Sequence, residues 1–556
     1  MSLPGLSSPL SSRRLAGLCM GLSIGLCASL VTAPSAQAGF NGGYLLETET
    51  KRFIRAMKTE LAAAGSHGQR LTASAHIASQ LVPSFRSGAK PTGMKQTGVK
   101  QTGATMVTAI EKSDKAKPGQ ARDVTLVPLE LALSQVAMQV GSNHFDEIKA
   151  AQASGNGQVL TLRKGHFTMA HLFAMTRTDE LRKAVTRRPD GYGLHLPVLI
   201  MPAAHLSIAD ERIALSSTSG AFIINLGTLG IEKAVIAGMA EKSDQARGDG
   251  AFKPFLMTAL GGRFAARDSQ FSHLGFGDRP KFRGLSFISG HLFPKQSFVF
   301  LSNNRFDHVG TVELKGMRDF TLSNNSFNAS GESALRVEDS MSGQIIGNLV
   351  MKSQKHGLRV TNNSTRITIR NNIIFGSKEA AIFVGGGATA TNIVDNILLD
   401  NKKSGIISKS AACPTIHGNA ILRNGVRGIL SENTFQLSLK SNVIALNKGP
   451  GISLLGGAVQ TDHIIVEGNR FERNALGLGT SDISNITLKN NDFSKQLPAL
   501  FSGEMTFYLA DYLKRAGTLV KGNLSPFIIS KPSHVADNGV SNSGLLLSKF
   551  QYCNDG

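Results

Sequence analysis

From Leu196 onward the chain sets short apolar runs between Gly, Asn and Pro, as in Pro197-Val198-Leu199-Ile200-Met201 and Ala221-Phe222-Ile223-Ile224. Such runs have the length of strands and are too short for helices. Further along, the pattern becomes a repeat. Asparagines, each followed within two residues by an apolar side chain, stand at Asn304, Asn325, Asn348, Asn372, Asn396, Asn419, Asn442, Asn469 and Asn491. Their separations are 21, 23, 24, 24, 23, 23, 27 and 22 residues. A small residue followed by an aliphatic one runs in phase, at Ala334-Leu335, Gly357-Leu358, Ala381-Ile382, Gly405-Ile406, Gly428-Ile429, Gly451-Ile452 and Gly477-Leu478. Two markers locked to one period indicate a solenoid.

Each period holds two or three β-prone runs, such as Ile367-Thr368-Ile369 and then Ile373-Ile374-Phe375. None is long enough for a helix pair. The expected fold is therefore all-β: a right-handed parallel β-helix of about 23 residues per coil, over residues 196–500, behind a mixed N-terminal region. The asparagines are read as turn residues. Asn tolerates the left-handed conformation of a tight corner, and stacked asparagines can hydrogen-bond along a ladder.

Around the repeat, residues 39–84 read as a helical segment, with Phe53, Ile54, Met57 and Leu61 near helical spacing within Tyr44 to Ala64. Residues 85–123 read as a basic flexible linker. Arg86 to Arg122 holds eight Lys/Arg and repeats Lys-Gln-Thr-Gly at Lys95–Gly98 and Lys100–Gly103. Residues 124–195 read as a mixed α/β cap, with a short strand at Val159–Leu162 and a helix starting near Thr168, a fair N-cap. Residues 501–556 read as a C-terminal cap and tail, with Glu504 to Arg515 helical and placed to hide the open end of the core.

The 556 residues, 18% charged and 41% hydrophobic, are enough for a large core. Residues 1–38 read as a signal peptide. Arg13 and Arg14 precede an apolar run from Leu15 to Val31, and Ala36-Gln37-Ala38 makes a small-residue cleavage site. The run is short and rich in small residues for a membrane span, so no stable membrane insertion is expected after cleavage, and the expected destination is the periplasm. Cys19 and Cys27 leave with the signal, which leaves Cys413 and Cys553. These two could pair; the plainer reading of Cys413 is a buried residue of a stacked rung. The net charge of +21 attracts polyanions. Export argues against nucleic acid, so an acidic glycan or an anionic membrane surface is the expected partner.

Equivalent residues of successive coils stack at about 4.8 Å. A period of 23 then sets Glu313, Arg336 and Arg359 in one outward column, and Lys315, Glu338 and Thr361 in its neighbour. Asp339 and His356 flank the patch at the strand ends, and later coils replace the charges with Phe383 and Ile407. One reading is a ladder of solvated ion pairs. The other is a subsite where two arginines clamp a sugar carboxylate and Glu338 or His356 exchanges a proton beside it. The histidines are dispersed without paired ligand spacing, so no metal site is expected, and no nucleophilic Ser, phosphate-loop or dinucleotide motif is present.

Several segments resemble the periplasmic mannuronan C5-epimerases of bacterial alginate assembly. They are Gly165-His166-Phe167-Thr168, Leu196-Pro197-Val198, Gly220-Ala221-Phe222-Ile223-Ile224-Asn225, Phe252-Lys253-Pro254-Phe255-Leu256, Gly261-Gly262, His273-Leu274-Gly275-Phe276-Gly277 and Lys355-His356-Gly357. The resemblance covers roughly Leu160 to Leu500, with the segments in the same order. It implies a β-helix that works on polymannuronate without a cofactor, in contact with an exopolysaccharide export complex. The family carries an Asp-Pro-His-Asp motif whose His takes the C5 proton, with an Arg one coil later to neutralise the substrate carboxylate. Aligned through Lys355-His356-Gly357, that motif falls on Arg336-Val337-Glu338-Asp339. Only Asp339 matches. Glu338 stands where the His should be, Asn362 lies near the position of the Arg, and Ser333 replaces an aromatic residue. An epimerase built on these residues would use Glu338 as base and Arg336 or Arg359 as clamp, with Glu313, Lys315 and His356 around the sugar. Two rivals are a non-catalytic scaffold for nascent polysaccharide and a β-eliminating polyuronate lyase.

Overall fold

The computed structural model describes residues 122–140, 157–176, 184–239, 252–276, 282–290, 295–456, 463–483, 485–517 and 527–530, with a few isolated positions before 157. The expected signal peptide, helical segment 39–84, nearly all of the basic linker and the end of the tail lie outside these residues, as does Cys553.

The architecture is a right-handed parallel β-helix. Each middle coil is three short strands, for example Leu335–Glu338, Gln344–Ile346 and Leu349–Met351, and each strand pairs in parallel with its counterpart one coil on. Leu335 lies opposite Leu358, Leu358 opposite Ile382 and Ile382 opposite Ile406, so a middle coil takes 23 or 24 residues. The earlier coils are longer, since Ile223 lies opposite Leu256 and Leu256 opposite Leu285. Alternate side chains such as Val312, Leu314, Leu335, Val337, Leu358 and Val360 point inward and make one continuous core.

The in-phase small residue has a steric cause. A Cβ on Gly405 would sit 2.4 Å from Ile421 Cγ2, and one on Gly357 2.4 Å from Ile374 Cγ2. Ala334 and Ala381 stand at the same position in other coils, so the slot takes glycine in some coils and at most alanine in others.

The asparagine repeat forms a buried ladder. Nδ2 of Asn348 donates to Oδ1 of Asn372 at 3.0 Å, Asn372 to Asn396 at 3.0 Å, and Asn396 to Asn419 at 3.0 Å. The same Oδ1 atoms also accept a backbone N–H from the coil before, at 2.9 Å for Asn348 to Asn372. One part of the turn reading is corrected. The left-handed residue is the one ahead of each ladder asparagine: Asn324 (φ 54°), Gly347 (φ 67°), Asn371 (φ 55°) and Asp395 (φ 55°). The ladder residue itself turns its amide inward to satisfy carbonyls such as Ile345 O.

The solenoid begins earlier than its sequence texture shows. Strand Gln158–Thr168 already stacks in parallel on Val198–Ala209, with Asp123–Pro128 antiparallel on its other edge. Thr168 caps helix Met169–Met175, its Oγ1 accepting from the His171 backbone N–H at 3.3 Å. At the far end a 3₁₀ turn (Glu504–Tyr508) leads into helix Leu509–Gly517. Tyr512 there sets its ring edge-on to Phe493 and Phe501, over the last coil. Cys413 is not a buried rung residue: it is half-buried at a corner (φ 53°) and disulfide-bonded.

Candidate functional site

The outward columns fall as the period places them. Glu313, Arg336, Arg359 and Phe383 are in register on successive strands of one sheet, and Lys315, Glu338 and Thr361 run beside them. Their environment is not that of a solvated surface ladder. Glu313 is 3% exposed and Glu338 4%, whereas Lys315 stands in solvent.

The two arginines differ. Arg336 pairs with Glu338 Oε1 through both Nε and Nη2, and its Nε lies 3.7 Å from Glu313 Oε1. Its charge is answered within the protein, and the Glu338 side chain makes no other hydrogen bond among the described residues. Arg359, one rung on, has a buried Nε without a hydrogen-bond partner, and its guanidinium lies 5.4 Å from the Phe383 ring centre. Burial, then the neighbouring Arg336, pushes its pKa down. The adjoining Thr361 Oγ1 is also buried without a partner. An unpaired guanidinium nitrogen beside an unpaired hydroxyl is a donor set for an anionic oxygen.

His356 is not placed to exchange a proton with a ligand. Its Nε2 lies 2.9 Å from Glu379 Oε2, and its Nδ1 accepts the Ala380 backbone N–H at 3.3 Å. Both nitrogens are therefore in use in the neutral Nε2–H form. Burial, only partly opposed by Glu379, pushes its pKa down to about 4. Its ring packs on Phe383, 5.0 Å between centres, so it supports the shelf on which Arg359 rests. Asp339 has φ 48° and stands in a column of left-handed corner residues with Gly316, Asn362 and Gly386. Its backbone N–H donates to Asn362 O at 2.9 Å. A corner that accepts Gly, Asp or Asn explains Asp at 339 without chemistry.

One wall of the face carries alternating charge, with Lys355 Nζ 2.7 Å from Glu332 Oε1 and Lys403 Nζ 3.2 Å from Glu379 Oε1. The sequence reading missed Glu379, the Phe383 shelf and a second amide ladder, Asn401, Asn424, Asn447, Asn474 and Gln496. The spacing of these four asparagines was a visible signal for that ladder.

Comparison with solved structures decides the fold at this point. The crystal structure of the periplasmic alginate epimerase AlgG superposes with a TM-score of 0.57 at 18% identity, covering 74% of this chain and 98% of that one. A substituted form of AlgG gives 0.58 over the same shares at 18% identity. The fold is that of AlgG. The A-module of the Azotobacter vinelandii mannuronan C-5 epimerase AlgE6 matches at a TM-score of 0.35 and 14% identity, over 64% of this chain and 96% of that one. Residues 271–398 match the family model described as a right handed beta helix region, and residues 381–523 that of the periplasmic copper-binding protein NosD. No curated protein matches by sequence. Among the described residues no three His, Cys, Asp or Glu side chains come together as metal ligands. No described helix is long and apolar enough to cross a membrane.

Proposed function

We propose that the protein is an exported β-helix protein that binds an acidic polysaccharide of the alginate type along the outward face of the Glu313–Arg336–Arg359 column. Arg359 carries this reading: its guanidinium is half-exposed on the face, makes no ion pair among the described residues, and has an unsatisfied Nε on its buried side. A uronate carboxylate supplies an oxygen to that guanidinium, and the net charge of +21 draws a polyanion to the protein. Export is supported by the signal-like residues 1–38 and by the fold shared with a periplasmic enzyme.

Binding is favoured over turnover by the engagement of both candidate bases. Abstraction of a proton alpha to a carboxylate needs an available base and a cation to offset the charge that develops. Glu338 is held by Arg336, and His356 uses both of its nitrogens. The reading predicts that polymannuronate binds with salt-sensitive affinity and leaves with its C5 hydrogens intact in deuterated water. Absence of binding at low salt would sink it. A second reading, C5 epimerisation with Glu338 as base and Arg359 as clamp, is favoured by the AlgG fold and by Asp339 at the shared motif position; deuterium entering C5 would establish it instead.

A further inference from the structure

The outward column that bears Arg336 does not stay open toward the N-terminal coils. Moving back rung by rung from Glu313 it passes Ser286, Met257, Ile224 and Leu199, all buried. These positions alternate with the inward core residues Leu285, Leu256, Ile223 and Val198, so they lie outside the solenoid. Met257, Ile224 and Leu199 belong to a second apolar cluster, separate from the main core, built with Leu129 and Leu133 of helix Leu129–Val140 and with Phe252, Phe255, Phe276 and Phe282. Phe255 stacks on Phe222 and meets Phe282 at a tilt, at 4.6 and 4.5 Å between ring centres. An apolar plug thus sits across the face where the earlier coils would otherwise continue it.

The edge of the plug is abrupt. In the neighbouring column Ile288 is buried in the plug, and Lys315, one rung on, is exposed. In the charged column Glu313 is buried, and Arg336, Arg359, Phe383, Ile407 and Leu430 follow as five half-exposed rungs. Beyond them the column passes to Ser453 and Gly479, small and buried. The face is a furrow of five half-exposed rungs, walled by the plug at the N-terminal end, with its arginines at the wall.

We infer that this furrow takes the end of a uronate chain, its terminal residue against Arg336 and Arg359 and the following residues over Phe383, Ile407 and Leu430. A chain lying along the column and held at its middle would have to pass through the plug. The inference rests on the polysaccharide reading above, and its test is separable from that reading. Titrate the full protein calorimetrically with two polymannuronate samples at low salt, one about ten times longer than the other, at equal mass concentration. Chain-end binding gives one protein per chain for both samples, and a short oligomannuronate competes with similar affinity per molecule. A stoichiometry that rises in proportion to chain length, or a short oligomer that does not compete, overturns chain-end recognition while leaving polysaccharide binding in place. No heat with either sample overturns both.

Discussion

Arg336 and Arg359 stack one rung apart in the same outward column, yet only Arg336 is neutralised within the protein. The difference separates two roles that sequence alone had merged into one clamp. Arg336 compensates two buried carboxylates, and Arg359 is a half-exposed guanidinium on the same face whose buried Nε has no partner.

The division has a direct consequence for stability. Arg336→Ala takes from Glu338 its paired cation and from Glu313 a neighbouring one, and removing one partner of a buried pair costs about 3–5 kcal/mol. Because Arg336 is itself partly exposed, the lower end of that range is expected. Arg359→Ala removes a cation with no ion pair among the described residues and only longer-range attraction to Glu338, Glu379 and Glu332, so urea unfolding should find its stability within about 1 kcal/mol of wild type. Equal destabilisation by the two substitutions would contradict the assignment.

The amide ladder should tolerate change very unevenly at adjacent positions. Asn372→Ala leaves the backbone N–H and one side-chain N–H of Asn348 unpaired and takes a donor from the carbonyl of Ile345. At about 1–3 kcal/mol for each buried unsatisfied group, a loss of several kcal/mol is expected. Asn371→Gly, one residue earlier at φ 55°, should be neutral or mildly stabilising in the same thermal or urea measurement.

Acid should weaken the fold through His356. Its folded pKa, about 4, lies below the usual 6.5, chiefly because burial disfavours the imidazolium. Between those values the unfolded chain binds the proton and the folded one does not. The contribution of His356 is therefore full above pH 6.5 and is lost as pH falls toward 4, with a slope of at most about 1.4 kcal/mol per pH unit. His205, also pushed down to about 4 by burial and then by His166, adds a similar slope. His356→Gln should flatten the stability–pH curve in this window by about half; an unchanged curve would show that the buried imidazole is not what acid attacks.

The solenoid, its period, the outward columns and the ladder asparagines were legible because a parallel coil converts sequence spacing directly into stacking. Glu313, Arg336 and Arg359 needed only the number 23 to be set in line. Features that depend on contacts outside the period were not legible. The occupation of His356 by Glu379 and Ala380 is a matter of side-chain direction at a corner; the pairing of Arg336 with Glu313 and Glu338 was one of two readings of the columns, but the burial of both carboxylates is not encoded by the pattern. The plug is built from helix Leu129–Val140 and from phenylalanines between Phe222 and Phe282 that share no repeat. The left-handed corner was placed one residue late because both neighbours at 324–325 and at 371–372 are asparagine.

The most direct test of the account is the affinity of polymannuronate for wild type and Arg359→Ala, measured calorimetrically at low and high salt. Wild type should bind at low salt and weaken as salt rises. Arg359→Ala should lose about 10- to 100-fold, the equivalent of one charge-assisted hydrogen bond of about 1.5–3 kcal/mol. Wild-type affinity retained by Arg359→Ala at both salt concentrations would contradict the central claim.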